Sequence, residues 1–498
     1  MKYVKKLQLV FMLIIFASIL SAQVSFIENT IAENFEEPWS VFPVDMDGDN
    51  DMDIVSSSRI EGKIAWWENL GQLDFEYHQI SNITYNAMGV VAMDIDADLD
   101  IDVVCTSQFN GVELWINNGS QDFSRQILGN WNCPTYVDSA DVNLDGMPDI
   151  LVTCCENGSN RMGWIENLGN LNFSHHEVMT NWHQANSIDA GDIDDDGDID
   201  LIGTASGREV GHGEIIIFYN DGNQLFTADT LYATTYRPSF AVIRDLDLDG
   251  DKDVIATICI LNQIIWFENI DNQFQNPEVI GYGMNRGLTL DVADFDNDND
   301  MDVVSASINN DRIYWFENDE MDFTRNIIIS SYDGAADVYP FDMDFDGDID
   351  ILSTAQYANK VSLWENQLLT SAHENVIHEG GRSTIQNYPN PFNPNTTISF
   401  SLNVENVENT ELGIYNLKGQ IVKKLSCHPE FIEGWNNIIE DAPRPSTELR
   451  MTQAGSKRYF VIWNGTDNSN QSVSSGIYYS VLKSNGEILA SKKMVLIK

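Results

Sequence analysis

The sequence predicts an all-β protein: a seven-bladed β-propeller followed by a small β-sandwich of Ig-like type. Three observations predict it. An acidic nonapeptide recurs seven times, an aromatic signature ending in Asn follows each copy, and the composition changes after Ile377 to a Pro-opened series of strand-like segments. The nonapeptides start 49, 47, 51, 53, 49 and 48 residues apart. A fixed period of that size marks a repeat architecture whose units need their neighbours to bury a core.

The copies are DMDGDNDMD (Asp45–Asp53), DIDADLDID (Asp94–Asp102), DVNLDGMPD (Asp141–Asp149), DIDDDGDID (Asp192–Asp200), DLDLDGDKD (Asp245–Asp253), DFDNDNDMD (Asp294–Asp302) and DMDFDGDID (Asp342–Asp350). Positions 1, 5 and 9 are Asp in all seven copies, which an ordinary solvated charge run has no reason to maintain. Carboxylates confined to one tight turn repel each other or are driven to protonate. A hard divalent cation removes the conflict, and calcium, with six to eight oxygen ligands in flexible geometry, suits the loop better than magnesium. An EF-hand is excluded, because position 12 is Ser56, Cys105, Val152, Gly203, Ala256, Ser305 or Ser353 and never Glu.

Positions 1, 3, 5 and 9 are expected to supply side chains and position 7 a carbonyl, for up to seven calcium ions. The candidate metal ligands are Asp45, Asp47, Asp49 and Asp53; Asp94, Asp96, Asp98 and Asp102; Asp141, Asn143, Asp145 and Asp149; and Asp192, Asp194, Asp196 and Asp200. The remaining loops offer Asp245, Asp247, Asp249 and Asp253; Asp294, Asp296, Asp298 and Asp302; and Asp342, Asp344, Asp346 and Asp350. Position 6 calls for a residue that tolerates positive φ, met by Gly146, Gly197, Gly250 and Gly347 and by Asn50 and Asn299. Leu99 does not meet it, so the second loop is expected to be the weakest or to have a different backbone.

The aromatic signatures read AWWEN (65–69), LWINN (114–118), GWIEN (163–167), IFYN (217–220), IWFEN (265–269), YWFEN (314–318) and LWEN (363–366). Aromatic and β-branched residues mark a strand and the closing Asn a turn. With the apolar run behind each acidic loop and a further strand such as Phe75–Ile80, each unit offers about four short strands, the content of one propeller blade. The aromatics are expected to be inter-blade core rather than a sugar platform. Val24–Ala32 is expected to complete the last blade beside Asn359–Asn366 and so protect the seam.

These repeats resemble the FG-GAP and VCBS type, the calcium-loop blades also found in integrin α-subunit heads, over roughly residues 24–380. The resemblance implies the propeller and its cations, not a particular activity, since such blades serve adhesion proteins, lectin-like modules and some polysaccharide lyases.

Residues 1–22 read as a signal peptide: Lys2, Lys5 and Lys6, an apolar stretch from Leu7 to Leu20, and Ser21-Ala22 suited to cleavage. No other stretch is long and apolar enough to span a bilayer. The domains expected are therefore a leader at 1–22, a propeller at 23–380, a linker at 381–386 and a β-sandwich at 387–498. The net charge of −50 becomes −53 without the three leader lysines, and seven calcium ions would bring it to −39. That balance argues against nucleic acid or anionic lipid as a partner. The six cysteines have no metal-type spacing, and any disulfide pairing stays open.

The last fifth of the chain, with YPNPF (388–392), IYNLKGQ (414–420) and SGIYY (475–479), resembles the type IX secretion C-terminal sorting domain. That implies export across an outer membrane by the type IX machinery, then release or surface attachment. Ser426 to Arg458 is longer than this family's usual connection and reads as an insertion.

Three functional classes remain open. The first is a non-catalytic adhesion or ligand-binding module for a glycan or protein. The second is a polysaccharide lyase or hydrolase acting on the propeller face, for which His183, Arg237, Arg286 and Asp337 are the loop candidates. The third is a structural part of a larger surface assembly. No catalytic residue or organic cofactor is assigned, because no nucleophile motif, phosphate loop or zinc spacing is present.

Overall fold

The computed structural model describes residues 24–368, apart from 50, 72, 130, 155–159 and 208–211, together with strand segments between 385 and 496. The leader, Gly380–Ser383 and residues 427–455 of the insertion lie outside the described residues. Two compact units are present, Met1–Ser371 and Ala372–Lys498.

The first unit is built from seven four-stranded antiparallel sheets, numbered here by the acidic loop each carries. Blade one runs from its innermost strand Pro38–Val44 through Asp53–Ser58 and Lys63–Asn69 to Phe75–Ser81. The innermost strands pack in series, Pro38–Val44 on Ala87–Met93, then Pro134–Ala140, Ala185–Gly191, Pro238–Arg244, Gly287–Ala293 and Ala335–Phe341, which returns to Pro38–Val44. The sheets therefore close into a ring, the β-propeller expected from the repeat.

The second strand of every blade begins at position 9 of its acidic loop and is buried along its whole length, as in Asp53–Ser58, Asp200–Ala205 and Asp350–Ala355. Both faces lie against neighbouring blades, so an alternating pattern would place polar groups in a core. The sequence supplies apolar residues first and small hydroxyl residues after. Those hydroxyls join blades: Thr153 Oγ1 donates to Asn186 O at 3.2 Å, and Thr354 Oγ1 donates to Trp39 O at 3.3 Å across the seam. The signature aromatics fill the space between blades, as expected. Trp66, Trp164, Phe218 and Trp364 are all at most 3% exposed.

Closure follows the predicted pairing. The strand Phe26–Glu33 runs antiparallel to Lys360–Asn366, with Phe26 opposite Asn366. Phe26 then meets Phe295 and Trp315 at 6.1 and 6.4 Å between ring centroids. Deleting residues 24–33 uncovers the edge of Lys360–Asn366 and removes this aromatic packing. The expected result is a loss of stability above the roughly 3 kcal/mol of a single buried Phe→Ala change, with aggregation visible by size-exclusion chromatography. A truncated protein that stays monomeric and melts normally would contradict the closure.

The second unit holds a three-stranded sheet (Ile385–Tyr388, Thr396–Asn403, Ser456–Trp463) and a four-stranded sheet (Ile421–Ser426, Thr410–Asn416, Gly476–Ser484, Glu487–Leu496). Ile398 and Trp463 of the first share one buried cluster with Leu412, Ile414, Tyr478, Leu482 and Met494 of the second. Ile385 and Gln386, expected as linker, belong to the first strand.

Candidate metal centres and the opposite loop face

Each acidic loop joins the end of an innermost strand to the start of the buried second strand, so all seven lie at the same end of the blades. In loops two, three, four and six, position 1 accepts two backbone N–H groups. Asp192 Oδ1 takes Asp196 N at 3.1 Å and Oδ2 takes Gly197 N at 3.0 Å; Asp94 and Asp294 repeat the pattern. Position 5 accepts the N–H of position 7, as in Asp198 to Asp196 at 3.0 Å.

Position 9 is different. Asp53, Asp102, Asp149, Asp200, Asp253, Asp302 and Asp350 are at most 1% exposed. In each, one oxygen accepts the N–H of position 2, and the other accepts the N–H of the signature Asn. For Asp200 these are Ile193 at 3.1 Å and Asn220 at 2.7 Å; for Asp53, Met46 at 2.8 Å and Asn69 at 2.7 Å. Sequence reasoning assigned this Asp only a ligand role. It also ties the loop to the third strand, and in loops one, two, four and six one of its oxygens lies within 4.8 Å of carboxylate oxygens from positions 1 and 3. Burial is the largest effect on it. The carboxyls of Asp53, Asp302 and Asp350 rise to about 8, those of Asp102, Asp149 and Asp200 to about 7 and that of Asp253 to about 6, although each N–H bond pulls the other way.

The signature Asn, read as a turn marker, does more. Asn167 Nδ2 donates to Pro148 O in its own loop and to Ile95 O in the preceding blade's loop, at 3.3 and 2.7 Å. Asn220, Asn269 and Asn366 likewise reach Val142 O, Ile193 O and Phe295 O of the preceding blade. Its recurrence immediately after the aromatics was the available signal.

Carboxylate oxygens from positions 1, 3 and 9 lie within 4.8 Å of one another in loops one, two, four and six, and those from positions 1, 3 and 5 do so in loop five. These clusters can hold metal ions. Their chemistry fits a cation on a second count: Oδ1 of Asp96, Asp194 and Asp245 is buried and accepts no hydrogen bond, which is costly for a carboxylate without a cation. In loop three, Asn143 Oδ1 accepts Asp145 N at 3.0 Å, and its amide donates to Asp145 and to Glu166, each at 3.2 Å. The Glu of the signature thus reaches the loop, a contact the sequence reading missed.

Among the described residues, the Gly and Asn at position 6 have positive φ as expected, from 78° at Asn299 to 108° at Gly250. Leu99 adopts φ 76° as well, so the backbone of loop two does not differ; the strain is accepted instead. Position 4 is also left-handed in all seven loops, including Leu144, Leu248 and Phe345, and nothing in those residue types signals it. Leu99 is 87% exposed and packs against little. Leu99→Gly is therefore expected to stabilise loop two by about 1 kcal/mol and to tighten its cation, measured by calcium titration. Unchanged affinity would remove strain as the weakness of this loop.

The other end of the blades carries the loops that precede each innermost strand. Arg237 and Arg286 lie there, both exposed, at φ 54° and 59°. His183 is held by Asn160 at 2.9 Å. Asp337, expected in a loop, instead lies in the innermost strand Ala335–Phe341, where Oδ2 accepts Val41 N at 3.1 Å and clips blade seven to blade one. On the ring axis, unforeseen, Arg244 pairs with Asp189 and Asp291 at 3.0 Å each. Burial and the charge of Asp189 push the nearby Asp138 carboxyl up to about 7. Asp138, Asp189 and Asp291 all occupy the fifth position of their strands, a pattern visible in PTYVDSA, ANSIDAG and GLTLDVA.

The FG-GAP-like repeat model matches at residues 45–105, 94–152, 141–203, 192–256, 245–305 and 294–353. Each span opens at one acidic loop and closes beyond the next, so seven loops bound six spans. The model of a secretion system C-terminal sorting domain matches residues 386–433. No curated protein matches the chain. Among solved structures, one similar chain is BBS1N, from a crystal structure of its complex with ARL6DN soaked with lead; identity is 10% and the TM-score 0.46, covering 70% of this chain and 97% of that one. Among the described residues, no helix is long and apolar enough to cross a membrane.

Proposed function

The chain belongs to the FG-GAP-like repeat family and carries a secretion sorting domain that directs it to the cell surface or the extracellular space, and from that premise we propose that it is a calcium-binding, non-catalytic adhesion or ligand-binding module. The sorting domain engages the type IX secretion machinery, and the propeller presents the binding face. The observation that carries the calcium reading is the set of buried carboxylate oxygens without hydrogen-bond donors, Oδ1 of Asp96, Asp194 and Asp245, each beside further carboxylates of its loop. Oxygen-only donors at flexible geometry favour calcium over magnesium. Up to seven ions, one per loop, would lock the same end of every blade and leave the opposite loops to meet a glycan or protein.

A polysaccharide lyase needs a free base beside its charge neutraliser. Asp337 is engaged in a strand and His183 is held by Asn160, which supports the non-catalytic reading. The test is a glycan array run alongside depolymerisation of uronate-containing polysaccharides. Binding without cleavage is expected. Products with unsaturated ends would establish a lyase instead.

A further inference from the structure

We propose that the propeller face opposite the acidic loops holds a site for an anionic oligosaccharide, centred on Arg237 and Arg286; this deepens the ligand-binding reading above and rests on it. The two arginines occupy the same register, one residue before the innermost strands of blades five and six. Both line a cavity of about 530 Å³ that also takes in the start of blade four's innermost strand and the hairpin turns of blades four to six. That volume lies within the roughly 300–1,000 Å³ of small-ligand sites.

Charge singles this cavity out. The chain has 77 acidic and 27 Lys and Arg residues, and four of the other described arginines in the ring are ion-paired: Arg59 with Glu37, Arg125 with Glu113, Arg161 with Glu177 and Arg244 with two aspartates. Arg312 and Arg325, in neighbouring strands rather than this cavity, donate instead to Tyr314 Oη at 3.3 Å and Tyr282 O at 3.0 Å. Among the described residues, Arg237 and Arg286 form no ion pair with a carboxylate. An innermost strand of seven residues, roughly 23 Å long, separates them from the acidic loops. Their corresponding positions in other blades are Glu37, Asn86, Cys133, Gln184 and Gly334, all likewise at positive φ. The left-handed turn is thus a property of the fold, and the two arginines are a property of this cavity.

The rest of the wall selects the ligand's class. Asn186 Nδ2 donates to Ser206 Oγ at 2.7 Å and to Pro238 O at 3.0 Å, and Asn309 Nδ2 donates to Asn285 Oδ1 at 3.3 Å. These bonds fix the amides and hydroxyl in place, as a surface that recognises ligand hydroxyls requires. Exposed Ile260 offers a small apolar strip for a sugar's C–H face. A protein partner is disfavoured, since protein hot spots rely on buried aromatic and apolar anchors. Two guanidiniums beside a polar wall fit carboxylate or sulfate groups on a polyol, with the anion bound bidentately.

Calorimetric titration of the calcium-loaded protein with trigalacturonate, a sulfated galactan trisaccharide, uncharged galactotriose and hexaglutamate tests the site. At least one anionic sugar is expected to bind, more weakly as salt rises, while galactotriose and hexaglutamate do not. Whichever anionic sugar binds identifies carboxylate or sulfate as its charge. Arg237→Gly and Arg286→Gly should each weaken binding roughly ten- to a hundredfold, the loss of one charged hydrogen-bonding group. Glycine suits the left-handed backbone at both positions, so the variants should keep or raise the melting temperature. Failure of both anionic sugars to bind, equal affinity for galactotriose or hexaglutamate, or unchanged affinity in both variants overturns the proposal. If the array finds a ligand that both variants still bind, the cavity assignment falls and the binding module stands; if no ligand of any class binds, both fall.

Discussion

Stripping calcium from the propeller is expected to lower its melting temperature by about 10 °C or more and to reverse its response to pH. A site held at a thousandfold its dissociation constant contributes about 4 kcal/mol, and a unit of this size loses roughly 0.7 kcal/mol of stability per degree near its midpoint. The pH response follows from position 9. Without metal, burial raises these seven carboxyls from 3.8 to between about 6 and about 8. A carboxyl raised in the folded state favours the protonated fold, so its stabilisation is complete below the unfolded value and is lost as pH rises through the folded one. The metal-free protein should therefore gain stability on acidification from pH 8.5 to 5. The calcium-loaded protein should lose stability over the same interval, because protons compete for the ligand oxygens. Melting curves with and without chelator, at both pH values, decide the matter. Coincident curves would show that no ion holds the loops, and restoration by magnesium as effective as by calcium would reject the choice of ion.

The second large effect separates two roles within one loop. Asp200→Ala should destabilise the protein by about 2–6 kcal/mol whether or not calcium is present. It strands the buried N–H groups of Ile193 and Asn220, at about 1–3 kcal/mol each. Asp194→Asn should behave oppositely in the two states. Its Oδ1 accepts no hydrogen bond, and the charges of Asp196 and Asp192 raise its pKa on top of burial. Removing that charge relieves repulsion in the metal-free protein and leaves it as stable or more so, while calcium binding at loop four weakens tenfold or more. Denaturant unfolding of both variants, with calcium and with chelator, measures the contrast. If Asp200→Ala were harmless once calcium was removed, position 9 would be a ligand and not a structural tie.

Much of the fold was legible because the repeat states it seven times. The period, the strand-forming aromatics and the turn residues agree at every level, and the closing strand Phe26–Glu33 could be assigned from its place before the first loop. The candidate ligands were equally legible, since alternate Asp residues in a tight turn have few physical explanations. Other features were not. Asp53 and its equivalents look like any other Asp of the loop, and only the third strand, folded back alongside, supplies the second N–H that makes them ties. Asp337 read as a loop residue because nothing local shows that its partner is Val41, 296 residues away. Leu99 and Leu144 were unexpected at positive φ, because the cost of that conformation is local while the constraints that impose it come from both flanking strands.

The amino-acid order alone therefore determined the repeat, its strands and the acidic loops, for these depend on neighbours within a few residues. Tertiary structure alone decided which carboxylates became buried ties and which kept open oxygens, and it gathered Arg237 and Arg286 into one cavity from separate blades. Ring closure brings together groups from units some fifty residues apart, and burial then fixes which of them keep a charge, a partner or neither.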